Sequence, residues 1–357
     1  MDREEKLARI RRIRAEKDLP GVVHDAAPGV KMVLKGMEGE KSGGPDVERV
    51  QRVTRSIIDE VSRVIVGKQD IIQKALTALY CGGHILLEGP PGIAKTTIAR
   101  AISSAISCSF SRIQFLPDLM PSDIVGINTY LPGEGKFVFK PGPVFANIVL
   151  ADEINRASPK TQSALLEVME ERQVTVDRVT YPLENPFIVL ATQNPFEFEG
   201  VFPLPEAQID RFMLRLKMDY PTRNEEKKIL ELKDTDVQVS SVRKVASPDD
   251  ILWVQKEIGL VHVSEKIIDY ITEIIERIRS DDRTLLGASP RGSITLLRVS
   301  KATAAIHGRD YVIPEDVREV IHDALDHRVI VRPEHELDGV KGSAIVQEAI
   351  ESVPVPR

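Results

Sequence analysis

Cysteine and long apolar runs are what this chain most lacks. Its 357 residues hold two cysteines, Cys81 and Cys108, and neither sits in a CxxC or other metal-ligand spacing. No disulfide framework follows, so two reduced thiols in or near the core are expected, and the cytoplasm is the expected compartment. The longer apolar stretches, such as those at 147–151 and 187–191, are strand-length. A membrane span needs about 18–20 such residues, so none is expected. The N-terminus, MDREEKLARIRRIRAEKD, is charged throughout and has no apolar segment of the secretory kind. Positive charge is also scarce: 48 Lys and Arg against 54 Asp and Glu give a formal net charge of −6, the wrong sign for a general nucleic-acid coat. His307, His322, His327 and His335 cluster in sequence, but none is spaced as a helical zinc pair would be. They read as solvated.

What remains is an ordinary globular composition, 42% hydrophobic and 29% charged, with length for two or three domains. Residues 1–19 space Leu7, Ile10 and Ile13 by three, as in a short solvated helix. Residues 20–45 hold six glycines and three prolines. Residues 1–45 thus read as a flexible arm, with the folded body starting near Asp46. From 46 to 221, short apolar runs at 84–88, 110–115, 148–152, 187–192 and 213–218 alternate with helix-like segments at 46–66, 98–107 and 159–171. Near-continuous apolar strands suit a parallel sheet buried on both faces. Their alternation with helices predicts an α/β domain. Beyond 221 the strand signal fades. Segments 266–278, 293–307 and 314–329 read as helices, which predicts an all-helical domain over 222–357. Trp253 and the isoleucine stripe of 266–278 read as core.

After the run at 84–88 comes Gly89-Pro90-Pro91-Gly92-Ile93-Ala94-Lys95-Thr96, followed by a helix. This is the phosphate-loop template G-x-x-x-x-G-K-[ST], with Ala94 in place of its second glycine. Glycine lets backbone N–H groups approach phosphate oxygens, and the helix N-terminus adds further donors. Lys95 then reaches the β- and γ-phosphates, and the Thr96 hydroxyl ligates Mg²⁺. A second apolar strand, 148–151, ends in Asp152-Glu153. Beside a phosphate loop, the aspartate holds Mg²⁺ and the glutamate polarises the attacking water. Two adjacent acids need separate roles because their charges repel.

These residues resemble the MoxR family of AAA+ ATPases. GPPGIAKT at 89–96 is similar to that family's loop, including the alanine before lysine. ADEINRA at 151–157 resembles its Mg²⁺ strand, ATQNP at 191–195 its sensor 1, PEAQIDRF at 205–212 its arginine-finger segment and Ser289-Pro290-Arg291 its sensor 2. The likeness runs from about Val64 to the late 320s and omits 1–45. It implies an AAA+ α/β core over 46–221, with a parallel sheet, and an all-helical lid over 222–357. It implies that ATP is bound by Val66 and Gly67 beside the adenine and by Gly89, Pro90, Pro91, Gly92, Ile93, Ala94, Lys95, Thr96 and Thr97 at the phosphates. Thr96 and Asp152 would hold Mg²⁺, Glu153 would act as base, and Asn194 would orient the lytic water. Arg211 would reach the neighbouring subunit's nucleotide, with Arg156 as a rival. Arg291 would touch the γ-phosphate and report hydrolysis to the lid.

Two insertions belong to the same resemblance: a long stretch at 116–144 and a hairpin at 173–183, both pointing to a central pore. The implied protein is a homo-oligomeric ring of six that remodels, matures or activates a client protein complex, often with a von Willebrand factor A-domain partner. Two alternatives stay open. One is a nucleic-acid motor of the minichromosome-maintenance type, which the charge and the single basic residue of the hairpin, Arg178, count against. The other is the motor subunit of a metal chelatase.

Overall fold

The computed structural model of the chain describes residues 44–133, 135–195, 200–234 and 239–356. The arm expected at 1–45 falls, up to residue 43, outside them. Asp46 opens the described fold. Its carboxylate accepts the Arg49 N–H, a cap whose loss costs about 1 kcal/mol, and starts α1 (Val47–Ser62). Then follow α2 (Gln69–Tyr80), β1 (Ile85–Glu88), α3 (Lys95–Ala105), β2 (Phe110–Gln114), α4 (Pro121–Val125), β3 (Gly126–Leu131), β4 (Lys136–Pro141), β5 (Ile148–Asp152), α5 (Pro159–Glu171), β6 (Gln173–Val176), β7 (Val179–Pro182), β8 (Ile188–Gln193), α6 (Glu206–Ile209) and β9 (Leu214–Lys217).

Five strands make one sheet in the order β2-β5-β8-β1-β9, every pair parallel. Alternate residues of the inner strands feed two cores. Ile85, Leu87, Leu150 and Leu190 pack with Ile57, Leu76 and Ile98 of α1, α2 and α3. Leu86, Val149, Ala151 and Val189 pack with Leu165 and Leu166 of α5. Burial on both faces is why these strands are continuous apolar runs. Parallel strands also end at a common edge. The residues that follow the neighbouring strands β5, β8 and β1 therefore emerge side by side.

The segment 116–144 folds as α4 and an antiparallel hairpin, β3–β4. A second hairpin, β6–β7, follows α5. Its turn residues Asp177 and Arg178 have φ of 50° and 69°, the left-handed geometry of a tight two-residue hairpin. The hairpins are joined to each other. The Phe139 ring stacks on Tyr181 at 4.1 Å, and Asn128 donates a 2.7 Å hydrogen bond to Asp177. Near the turn of β3–β4, Tyr130 and Phe137 pair at 5.2 Å and remain exposed.

The rest is helical: α7 (Arg223–Asp234), α8 (Pro248–Leu260), α9 (Glu265–Ser280), α10 (Pro290–Ile306), α11 (Pro314–Leu325), α12 (Pro333–Leu337) and α13 (Gly342–Ser352). Trp253 of α8 packs at the core's edge under the Arg49 guanidinium, 4.1 Å from its ring. One small antiparallel ladder interrupts the helices, β10 (Thr284–Leu286) with β11 (Ile330–Val331). The helix expected over 314–329 accordingly stops at Leu325 and turns through a 3₁₀ segment, Asp326–Arg328. Its β-branched end, Val329 to Val331, prefers extended backbone, and Pro333 keeps the residue before it out of helix. That turn corrects the reading of His327 as solvated. His327 is buried with Nε2 3.2 Å from the Phe212 carbonyl, and burial holds its pKa well below the usual value.

Candidate functional site

β1 delivers the phosphate loop. Gly89 passes so close to the Met218 carbonyl that a side chain there would collide with it. Ala94 sits at φ 70°, ψ 18° as the residue that caps α3. For a residue with a Cβ this left-handed conformation costs about 1–3 kcal/mol, so the fold around the loop imposes its shape. Helix α3 consequently starts at Lys95, three residues before the helical pattern becomes readable in sequence. Lys95 is buried and donates to the Gly89 carbonyl at 2.7 Å.

β5 delivers the acids. Asp152 ends the strand, and Glu153 turns into the left-handed region at φ 59°, ψ 50°. The two carboxylates then find different partners. Asp152 Oδ1 accepts the Thr192 hydroxyl at 2.7 Å, and Oδ2 accepts Arg112 Nε and Nη2 at 3.1 and 2.7 Å. Glu153 Oε2 accepts the Gln114 amide at 2.8 Å and lies 3.2 Å from Arg156 Nε. The Glu153 N–H donates to Thr192 Oγ1 at 2.9 Å. Asn194 follows β8 directly and is buried.

A cavity of about 940 Å³ joins these groups. Lys95, Thr96, Thr97, Asp152, Glu153 and Asn194 line it together with Pro91, Gly92, Ile93 and Ala94. Val64, Ile65, Val66, Ile229, Leu232 and Val239 add apolar lining, so the cavity joins apolar surface to a few convergent polar groups. Gly67, Gly89 and Pro90 are not among the lining residues. Gly67 is instead the left-handed turn before α2, at φ 71°.

Arg211 and Arg291 are elsewhere. Both line a second pocket of about 410 Å³ that shares no residue with the first. The resemblance sets Arg291 against a γ-phosphate; within the chain it stands beside Arg211. The cause is the anchoring of α10: Ser289 reaches Asp210 at 3.3 Å, Arg328 holds Asp210 at 2.7 Å, and Arg291 pairs with Glu170 at 2.6 Å. Arg211 meets the same Glu170 at 3.2 Å.

The sequence reading misses Arg112, Gln114 and Thr192. Its only signal is period two on β2, which puts Arg112 and Gln114 on one face.

A model of the ATPase family associated with various cellular activities (AAA) matches residues 84–214, and one of the AAA lid domain matches 276–349. The chain is 38% identical to Chaperone MoxR1 of Mycobacterium tuberculosis, covering 94% of this chain and 89% of that one. It is 30% identical to Protein MoxR of Methylorubrum extorquens, covering 83% and 93%. The chain belongs to the MoxR family of AAA+ ATPases. The uncharacterised protein YeaC of Bacillus subtilis is 47% identical over 84% of this chain and 93% of its own. The crystal structure of a Cytophaga hutchinsonii protein assigned as an ATPase superimposes with a TM-score of 0.82 at 42% identity, covering 87% and 97%. Membership implies nucleotide binding in general terms. Among the described residues, no helix is long and apolar enough to cross a membrane.

Proposed function

We propose that this chain is a Mg²⁺-dependent ATPase of a closed homo-oligomeric ring, expected to be hexameric, which remodels or activates a client protein complex in the cytoplasm. The observation that carries the reading is the convergence of Lys95, Asp152, Glu153 and Asn194 on one cavity. Lys95 and the N-terminus of α3 hold the phosphates. Thr96 and Asp152 are hard oxygen donors at its edge. Mg²⁺ accepts one or two such ligands beside phosphate and water, so the set fits that ion. Thr96 and Asp152 would hold the ion, which would supply positive charge to offset that developing on the phosphate. Glu153 takes the proton of the attacking water, and the Asn194 amide orients it.

Arg211 and Arg291 line a pocket apart from Lys95, which favours action on the next subunit's nucleotide. A head-to-tail contact that closes on itself gives that geometry, and such an arginine is worth about 10³–10⁵ in rate. A relative named as a chaperone supports the client role, with a von Willebrand factor A-domain protein as the expected partner. Glu153→Gln tests the core of the reading. It should bind ATP with nearly parental affinity and hydrolyse it about 10²–10⁴-fold more slowly, the usual worth of a general base. Turnover within a few-fold of the parent would falsify the assignment of Glu153. Stimulation by single-stranded DNA, and not by an A-domain protein, would move the reading to a nucleic-acid motor.

A further inference from the structure

We propose that Arg112 guards the metal-binding carboxylate. It holds Asp152 until a divalent cation arriving with nucleotide displaces it. The inference deepens the reading of the first cavity as a Mg²⁺–ATP site and rests on it.

Arg112 and Gln114 lie on one face of β2, whose parallel register with β5 sets Gln114 opposite Asp152. Both Nε and Nη2 of Arg112 donate to Asp152 Oδ2, at 3.1 and 2.7 Å. A carboxylate oxygen offers about two acceptor positions, so Oδ2 is filled. Oδ1 already takes the Thr192 hydroxyl at 2.7 Å. Arg112 Nη2 also meets Gln114 Oε1 at 2.5 Å, and the Gln114 amide donates to Glu153 Oε2 at 2.8 Å. One guanidinium therefore reaches Asp152 directly and Glu153 only through Gln114.

A Mg²⁺ ion held by Asp152, directly or through its own water, competes for those acceptor positions. It also sets two positive charges beside a third. The guanidinium has somewhere to go, because the Arg112 side chain is 46% exposed and lines the cavity itself. Once it moves, Gln114 loses one partner of its amide, while Glu153 keeps Arg156 at 3.2 Å. A permanent support for two crowded acids would use the same contacts. The two roles differ in sign: a support strengthens metal binding, whereas a guard opposes it.

The test uses the full chain and a fluorescent non-hydrolysable ATP analogue at fixed concentration, titrated with Mg²⁺ to find the midpoint of binding. Arg112→Gln removes the charge and keeps a donor. Its midpoint should fall about fivefold or more, the lower end of couplings between two sites. An unchanged or higher midpoint in a folded Arg112→Gln protein overturns the proposal and makes Arg112 a support. Should that variant fail to fold, Arg112→Lys decides. It keeps the charge without the two-donor fork, so its midpoint should fall about twofold, and a rise or no change counts against the guard. A parent protein whose analogue binding shows no Mg²⁺ dependence refutes the Mg²⁺–ATP reading itself. That result differs from a Mg²⁺-dependent parent whose variants do not shift as stated.

Discussion

Arg211 and Arg291 grip the same carboxylate, Glu170, at 3.2 and 2.6 Å. Glu170 belongs to α5, Arg211 follows α6, and Arg291 stands in the first turn of α10. The two arginines are therefore presented as a pair. Removing either one leaves the other still tethered.

Lys95 and Arg211 act on different nucleotides in the proposed ring. Lys95→Ala and Arg211→Ala should each abolish hydrolysis in a uniform assembly. Mixed after subunit exchange, they should recover activity above the average of the two, because some interfaces pair an intact Lys95 with an intact Arg211. Steady-state ATPase of the mixture against each mutant checks this. Co-assembly without excess activity would remove Arg211 as the trans-acting residue and turn attention to Arg156.

Gln114 tethers Glu153 from β2. Gln114→Ala deletes the tether and leaves the loop and Lys95 untouched. Nucleotide affinity should stay within about threefold. The rate constant of hydrolysis should change about tenfold, since an ordering hydrogen bond to a charged group is worth roughly 1.5–3 kcal/mol. Single-turnover hydrolysis beside a binding titration separates the two effects.

Acid should destabilise the protein through His84. Its Nδ1 accepts the Val189 N–H at 3.0 Å, its Nε2 meets the Met169 carbonyl at 2.9 Å, and burial pushes its pKa down to about 4. The unfolded imidazole titrates near 6.5, so between pH 6.5 and about 4 the unfolded chain binds the extra proton. Stability is present above that window and falls with pH through it, by up to about 1.4 kcal/mol per unit. His327 acts in the same direction. The melting temperature from pH 7 to 5 should drop less in a folded His84→Gln variant than in the parent.

Removing residues 1–43 should leave ATPase activity within about twofold of the parent. No motif lies there, and the cap of α1 is supplied by Asp46, whose N–H also bonds Glu257 at 2.8 Å. A folded but inactive truncation would assign the arm a part in the site or the ring.

The sheet and the loop were legible because each depends on local sequence. Continuous apolar runs mark the strands, and the spacing of Gly89, Lys95 and Thr96 marks the loop. Asp152 and Glu153 were legible as a pair at a strand end. Their separate partners were not, because Arg112, Gln114 and Thr192 reach them across strand pairings that the chain order does not reveal. The place of Arg291 was hidden for a similar reason. It depends on Asp210 and Glu170, distant in sequence and ordinary in their local setting. β11 was hidden because two residues are too few for a period to register.

Helix α5 starts just beyond Glu153 and ends at Glu171, next to the carboxylate that holds the two arginines. Thirteen residues of helix make a rod of about 20 Å with no glycine in it and its only proline at the first position. One end follows Glu153 by way of the 3₁₀ segment Ile154–Arg156. The other carries Glu170, which holds Arg211 and Arg291, and the β6–β7 hairpin follows the same end. A rod so built has no joint at which one end could shift and leave the other behind.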